Sequence, residues 1–408
     1  MRDNTKALLE GRVPEDVRLL DRVTVGIDPL IDFLTKQYPE EFISKGGSKL
    51  KFITGRKGSG KSHLSRLLLA RAAERGFVTV RFSAKEVWLH DFREIYLEVL
   101  RRCGIDAILK SCADGVVREM DYDPEQIRPG QKFLDFLAER KEADAISKST
   151  IRSALRARFT QNPLMDNCFA SCCSLLTGDL LGYPSLDAAS GDAVLRCLFG
   201  DKSVKLSQLR ALGISPARIT KFNSRHMLRS LSELIHQSGR AGLVVVIDDM
   251  DTLLNANVND PIRYTKMRRE DAYESIRQLI DDIDSMQYLF WICCFDRSLI
   301  DDETAGLRSY QALWMRIQNE VVGSRFNSFA DMLDLDRLAD TVYTPETLCE
   351  MSRRLAQALR EDGSDARQLT GQEAADLTER ALYGGIGLPL LVNRAVVGTI
   401  GEEDGEHV

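Results

Sequence analysis

Apolar and polar residues alternate along this chain with two periods, and the switches between them outline the elements. Residues 27–37, "IDPLIDFLTKQ", space their apolar side chains three and four apart and predict an amphipathic helix. "KLKFITG" (49–55) then predicts a short strand, "KSHLSRLLLARAAERG" (61–76) a helix closed by Gly76, and "FVTVRFSA" (77–84) a second strand rich in β-branched and aromatic residues. Strand, loop, helix, strand is a βαβ unit, which implies a parallel sheet covered by helices. "LHDFREIYLEVLRRCG" (89–104) is amphipathic, and from about 88 to 238 helical pattern dominates, with breaks expected at "DYDPEQIRPG", "LTGDLLGYPS" and "GISPAR". That stretch is too long for one connection and reads as a helical insertion; no internal repeat is evident.

The strand pattern returns at "AGLVVVIDDMD" (241–251), a near-continuous apolar run ending in acids, as expected of a strand buried on both faces. "AYESIRQLIDDID" (272–284) predicts a helix and "QYLFWICCF" (287–295) another buried strand, with Asp296 and Arg297 at its tip. The remainder, from about 331, is expected to be helical. It contains "TPETLCEMSRRLAQALR", with Thr344 as N-cap and Pro345 in the first turn, a polar stretch at 361–372, a last helix through "LPLLVNRAVVGTI", and an acidic, mobile tail. The fold class expected is α/β: a parallel sheet flanked by helices, with a large helical insertion and a helical C-terminal lid. The boundaries drawn are 1–100 and 239–330 for the two parts of the core, 101–238 for the insertion and 331–408 for the lid.

Composition changes this picture little. The 408 residues are 44% hydrophobic and 28% charged, ordinary for a soluble globular protein with a sizeable core. A net charge of −6 argues against a broad nucleic-acid-coating surface while leaving room for a local basic groove. No run approaches the roughly 20 apolar residues of a membrane span, and the polar start is no signal peptide, so a cytoplasmic protein is expected. The nine cysteines form no CxxC pair. Cys168 and Cys172 share a helix face, yet with few histidines and no second pair nearby, buried free thiols in a reducing compartment are the better reading than zinc.

The chemistry concentrates at "GRKGSGKS" (55–62), which satisfies the pattern GxxxxGK[ST]. Glycines let successive backbone N–H groups converge on a polyphosphate, and the following helix presents the positive end of its dipole. The cradle expected runs over Gly55, Lys57, Gly58, Ser59 and Gly60 to Lys61, Ser62 and His63, with Lys61 on the outer phosphates and the Ser62 hydroxyl on Mg²⁺. Asp248, at the carboxyl end of a buried strand, is the second expected magnesium ligand, and Asp249 the residue that orients or deprotonates the attacking water. Either acid alone is otherwise a solvated strand end. Asp296 stands where P-loop ATPases of the AAA+ type place a polar residue near the γ-phosphate; an acid there repels phosphate unless it pairs with a cation or holds a water. Arg316, in "SYQALWMRIQNE", is the arginine-finger candidate for a neighbouring subunit's nucleotide, with Arg308 and Arg325 in reserve, and Arg394 the candidate second sensor. Each of these arginines is otherwise a surface ion pair. "RYTKMRRED" (263–271) is a small basic cluster that could touch DNA.

"RVPEDVRLLDRVTVGIDPLIDFL", "KFITGRKGSGKSHLSRLL", "VRFSAKEVWLHDFREIYLEVL", "AYESIRQLIDDID" and "SYQALWMRI" occur here in an order that resembles the BREX-type ATP-binding proteins (BrxD-like), a branch of the AAA+ P-loop ATPases of bacterial anti-phage systems. The resemblance is good over 8–100, fair over 240–340, poor across the insertion and partial at the C-terminus. It implies an ATP-driven or ATP-gated component acting with a helicase or other defence-system protein on DNA, and assembling with copies of itself. By position it puts "VTVG", with Val25 and Gly26, near the adenine. The chain departs from that pattern in having Asp249 where relatives have glutamate, Phe295–Asp296 where they have a small residue and threonine, and no arginine directly after Pro389. The shorter Asp249 points to slow water activation, which keeps a rival open: a STAND-like switch or scaffold that holds ATP and hydrolyses it rarely. A metabolite kinase would need an acceptor pocket, which nothing in the sequence marks.

Overall fold

A computed structural model describes residues 2–322, 326–361 and 363–398. Five parallel strands form one sheet: β1 (Ser48–Gly55), β2 (Val78–Ser83), β3 (Leu243–Asp248), β4 (Leu289–Asp296) and β5 (Met332–Asp334), in the spatial order β2-β3-β4-β1-β5. The apolar runs are continuous because the sheet is covered on both faces. Within β3, Leu243, Val245 and Ile247 enter one core while Val244 and Val246 enter the other; within β4, Trp291 and Cys293 part from Phe290, Ile292 and Cys294 in the same way.

The two cores draw on different stretches of chain. The first is closed by helices between residues 92 and 322, including Phe92–Arg102, Ile105–Glu119, Asn167–Leu181, Ser224–Gln237 and Gln311–Val322. The second is closed by Asp28–Thr35, Lys61–Glu74 and three C-terminal helices, Pro345–Glu361, Gly371–Tyr383 and Leu388–Val396. The helical stretch expected after residue 88 therefore packs on one face of the sheet, and the C-terminal helices on the other. None of the helices described is long and apolar enough to cross a membrane.

Two local expectations are corrected and one is met. The chain is not purely helical after 331, because Met332–Asp334 pairs with Phe52–Thr54 as an edge strand. Three residues carry no readable period, so only the exposed edge of β1 makes them a strand. The break expected at "LTGDLLGYPS" is present: the helix Asn167–Leu181 stops inside it at Gly182, whose φ is +88°. Gly178 inside that helix is a contact residue rather than a breaker, since a Cβ there would lie 2.6 Å from Pro184 Cδ. The helix expected over 27–37 ends at Thr35 and widens into a π turn over Lys36–Glu40, which contains Pro39. The acidic tail expected after residue 400 lies outside the described residues.

Candidate nucleotide-binding site

Parallel register aligns the carboxyl ends of the strands, and the candidate residues sit there. Gly55, the last residue of β1, is opposite Asp296, the last of β4, while Ser83 at the end of β2 is opposite Asp248 at the end of β3. The loop Arg56–Gly60 joins β1 to the helix Lys61–Glu74; both its glycines and the Gly55 before it carry positive φ: Gly55 +152°, Gly58 +79° and Gly60 +99°. A Cβ on Gly60 would meet nothing within 4 Å, so that side of the loop opens onto free space at the helix N-terminus. A cavity of about 1130 Å³ lies there; its walls include Gly58, Gly60, Lys61, Ser62, Asp249 and Asp296.

Most charges in this cleft are paired within the protein. Lys61 Nζ donates to the carbonyls of Gly55 (2.6 Å) and Arg56 (2.9 Å) and stands 3.7 Å from the Asp296 carboxylate. Asp296 thus has the cation its position demands. Its amide donates to Asp251 (3.0 Å) and its carboxylate accepts from the Ser298 amide (3.0 Å). Asp249 holds a left-handed backbone, φ +56°, which is uncommon for a residue with a side chain. Its carboxylate accepts from Ser83 Oγ at 2.7 Å and lies 3.3 Å from Lys85 Nζ.

Asp248 differs. Its side chain is buried, Arg81 of β2 lies against one carboxylate oxygen, and neither oxygen accepts a hydrogen bond of good geometry. A buried carboxylate with unused lone pairs is poorly solvated as it stands, and hard cations such as Mg²⁺ take oxygen ligands of this kind. The donor chemistry of the Asp248 carboxylate and the Ser62 hydroxyl, both hard oxygens, therefore fits a magnesium ion.

The far wall is apolar, made by Val23, Val25 and Ile27 on one side and Tyr343, Met351 and Leu355 on the other. Gly26 is where the two sides meet: a Cβ there would lie 2.5 Å from Val342 Cγ1. His63 accompanies this wall, its Nε2 2.7 Å from Thr24 Oγ1. The Thr24 hydroxyl proton already goes to the Leu20 carbonyl (2.7 Å), so Nε2 carries the hydrogen of that contact. Burial, aided by the nearby Arg66, holds the His63 pKa down at about 4.

The C-terminal helices touch the glycine-rich loop directly. Gly387 donates its amide to the Lys57 carbonyl (2.8 Å), and a Cβ on Gly387 would lie 2.5 Å from the Ser59 nitrogen. A Cβ on Gly58 would fall 2.3 Å from Leu390 Cβ. Arg56 ties the two parts further, through its guanidinium to the carbonyls of Ala381 (2.6 Å) and Gly384 (2.7 Å) and through its amide to Asp336 (2.9 Å).

Of the residues expected at the site, Val25, Lys57, Gly58, Gly60, Lys61, Ser62, His63, Asp249 and Asp296 line this one cavity, whereas Gly26, Gly55, Ser59 and Asp248 are not among its lining residues. The structure does not bring Arg316 there. That residue lies on the helix Gln311–Val322 and binds the Asp281 carboxylate with both Nε (2.6 Å) and Nη2 (2.8 Å). Arg308 stacks 5.3 Å from the Trp314 ring, and Arg325 lies outside the described residues. Arg394 belongs to the helix whose Pro389, Leu390 and Asn393 line the cavity, but it is not itself among the lining residues. The basic cluster 263–271 opens the helix Lys266–Asp282, with the Arg268 guanidinium 4.8 Å over Trp88. Sequence reasoning missed Arg81, Asp251 and the Asp336–Arg56 tie. Only Arg81 left a signal, as the one charge inside an otherwise apolar and hydroxylic strand.

With this geometry in view, the comparisons are brief. A family model described as BREX system ATP-binding protein BrxC/D matches residues 2–388, helical insertion included. No curated protein and no solved structure matches the chain.

Proposed function

Since the chain belongs to the BREX-system ATP-binding protein family BrxC/D, we propose that its cleft binds Mg-ATP and hydrolyses it for that anti-phage system, as an AAA+-like P-loop ATPase. The observation that carries the proposal is that the strands end at one edge of the sheet, with Gly55 opposite Asp296, Ser83 opposite Asp248, and an open helix N-terminus following β1. In this reading the loop amides and Lys61 cradle the phosphates, releasing Lys61 from its own loop carbonyls, and the apolar wall of Val25, Tyr343 and Met351 receives the adenine. Ser62 and Asp248 would hold magnesium, which when bound neutralises charge developing on the β- and γ-phosphates. Asp249 would orient the attacking water, and Asp296 would position Lys61.

Arg316 is the proposed finger toward a neighbouring copy, a role for which a location outside its own cleft is suitable. Arg394 is the proposed second sensor, carried by the helix that lines the cleft. Action on DNA with a helicase or another protein of the defence system, in the cytoplasm, completes the reading; the 263–271 cluster is its candidate DNA contact.

A second reading is favoured by the self-pairing of the cleft. Lys61 is held by two carbonyls and Asp296, Asp249 by Ser83 and Lys85, and the C-terminal helices rest on the loop itself. A site so internally satisfied suits a nucleotide-gated switch that turns over slowly.

One set of measurements tests both. Lys61→Ala is expected to abolish ATP binding in calorimetry; unchanged affinity would end the nucleotide assignment. For the wild type, ATPase rate and oligomer mass are measured together, with and without duplex and single-stranded DNA. Many turnovers per minute, rising with DNA, support the motor, while stoichiometric nucleotide retained through gel filtration supports the switch.

A further inference from the structure

Far from the phosphate loop, within the helical insertion, three thiols meet. Cys168 and Cys172 lie one turn apart on the helix Asn167–Leu181, and Cys197 projects from the end of the helix Ala188–Leu198. The three Sγ atoms all lie within 4.8 Å of one another. Among the described residues this is the one place where three or more histidine, cysteine or carboxylate side chains converge so closely.

The convergence is not a by-product of cysteine-rich helices. Cys173, adjacent to Cys172, is not one of the three, and Cys103, Cys112, Cys293 and Cys294 are likewise buried outside the cluster. Two of the three clustered thiols are buried, whereas Cys197 is only partly so, which leaves a route in from solvent. Cys168 is the second residue of its helix, where Asp166 caps the chain by accepting from the amides of Cys168 (2.9 Å) and Phe169 (3.1 Å). That position lies in the helix's positive end, which favours a thiolate.

We propose that Cys168, Cys172 and Cys197 form a three-thiolate site for a soft, thiophilic d¹⁰ cation of the Zn²⁺ or Cu⁺ class. Metal–sulfur bonds of about 2.3 Å set three sulfurs roughly 3.8–4.0 Å apart, so thiols already within 4.8 Å need only a small closure. Thiolates select soft ions over Mg²⁺ or Ca²⁺, which separates this site from the carboxylate site of the cleft. With three protein ligands, one face of the ion stays open; the Ala217 carbonyl, 4.0 Å from Cys168 Sγ, is the nearest backbone oxygen recorded beside it. Binding releases the thiol protons to solvent as the three M–S bonds form. The ion would tie two helices and the 217 segment together, stapling a subdomain built from short pieces.

The test uses the full-length chain purified without a metal-chelating tag and kept reduced. Metal content of the purified protein is measured by mass spectrometry, and the stripped protein is titrated with Cd²⁺, following the thiolate-to-metal charge-transfer absorbance. Expected are one saturable equivalent per chain, at least a tenfold loss of affinity in Cys197→Ser, and no change in Cys349→Ser, which lies outside the cluster. Should Cys172→Ser or Cys168→Ser disturb folding, Cys197→Ser on the partly exposed helix end carries the test alone, with ATP affinity as the check that the fold persists. No saturable Cd²⁺ equivalent, an unchanged titration in Cys197→Ser, or a disulfide among these cysteines in the reduced protein would overturn the proposal.

Discussion

Asp248→Asn separates the two jobs the cleft gives this residue. The substitution keeps the shape of the side chain and deletes its charge. In the nucleotide-free protein the change should be nearly silent. Asp248 accepts no well-formed hydrogen bond, and the cation that lies against it, Arg81, has a side chain 32% exposed and can be solvated instead. The loss is about 1 kcal/mol, that of a solvent-accessible ion pair, because the Arg81 charge left behind recovers its hydration from water. With nucleotide the outcome differs. At an ATP concentration about 100 times Kd, binding stabilises the wild type by about 2.7 kcal/mol. If the lost carboxylate weakens Mg-ATP by about 100-fold, concentration falls to Kd and only about 0.4 kcal/mol of that stabilisation remains. An unfolding entropy of about 2.1 cal/mol/K per residue makes this a drop in the ATP-induced Tm shift from about 3 °C to under about 1 °C. The assay is thermal unfolding with ATP, with Mg²⁺ and then with EDTA, for both proteins. An Asp248→Asn variant that keeps the full Mg²⁺-dependent shift would refute the metal assignment.

Other perturbations probe the neighbouring contacts. Gly58→Ala should cost about 1–2 kcal/mol from its left-handed backbone and also drive a methyl against Leu390 Cβ, so hydrogen exchange in residues 371–398 should rise; Leu390→Ala should not rescue it, because the first collision is with the Cβ that alanine retains. His63 is neutral in the folded protein down to about pH 4 and titrates near 6.5 when unfolded, so the unfolded state binds the extra proton between those values. Stability should therefore fall as pH drops from 6.5 toward 4, by on the order of 3 kcal/mol, and His63→Gln should flatten that part of the pH profile of Tm. Arg316→Ala should leave ATP affinity and Tm nearly unchanged while lowering turnover, and mixing it with Asp249→Asn should restore part of the activity; equal loss in every mixture would remove Arg316 from the role in trans.

The sheet was legible in the sequence wherever a strand is buried on both faces. "LVVVID" and "LFWICCF" have no helical stripe because both faces of each strand meet apolar cores, and the glycine spacing of residues 55–60 announces a loop whose backbone must reach positive φ. Pattern therefore named the loop, the aspartate that closes β3 and the helical covering. It was blind to Met332–Asp334, a strand only because β1 offers a free edge, and to Gly178, whose reason is the approach of Pro184 rather than a helix end.

By itself, then, the sequence determined which segments are amphipathic, which are buried on both faces, and which backbone can converge on a phosphate, since these depend on neighbours within one turn or one strand. The tertiary structure decided what lies next to what. Strand order seats β4 between β1 and β3, so Asp296 meets Lys61 and Asp248 receives Arg81 from β2. It also lowers Gly387 onto a loop more than three hundred residues earlier and brings Cys197 to Cys168 and Cys172. Such contacts are fixed by chain crossings and packing between distant segments, and no local period encodes them.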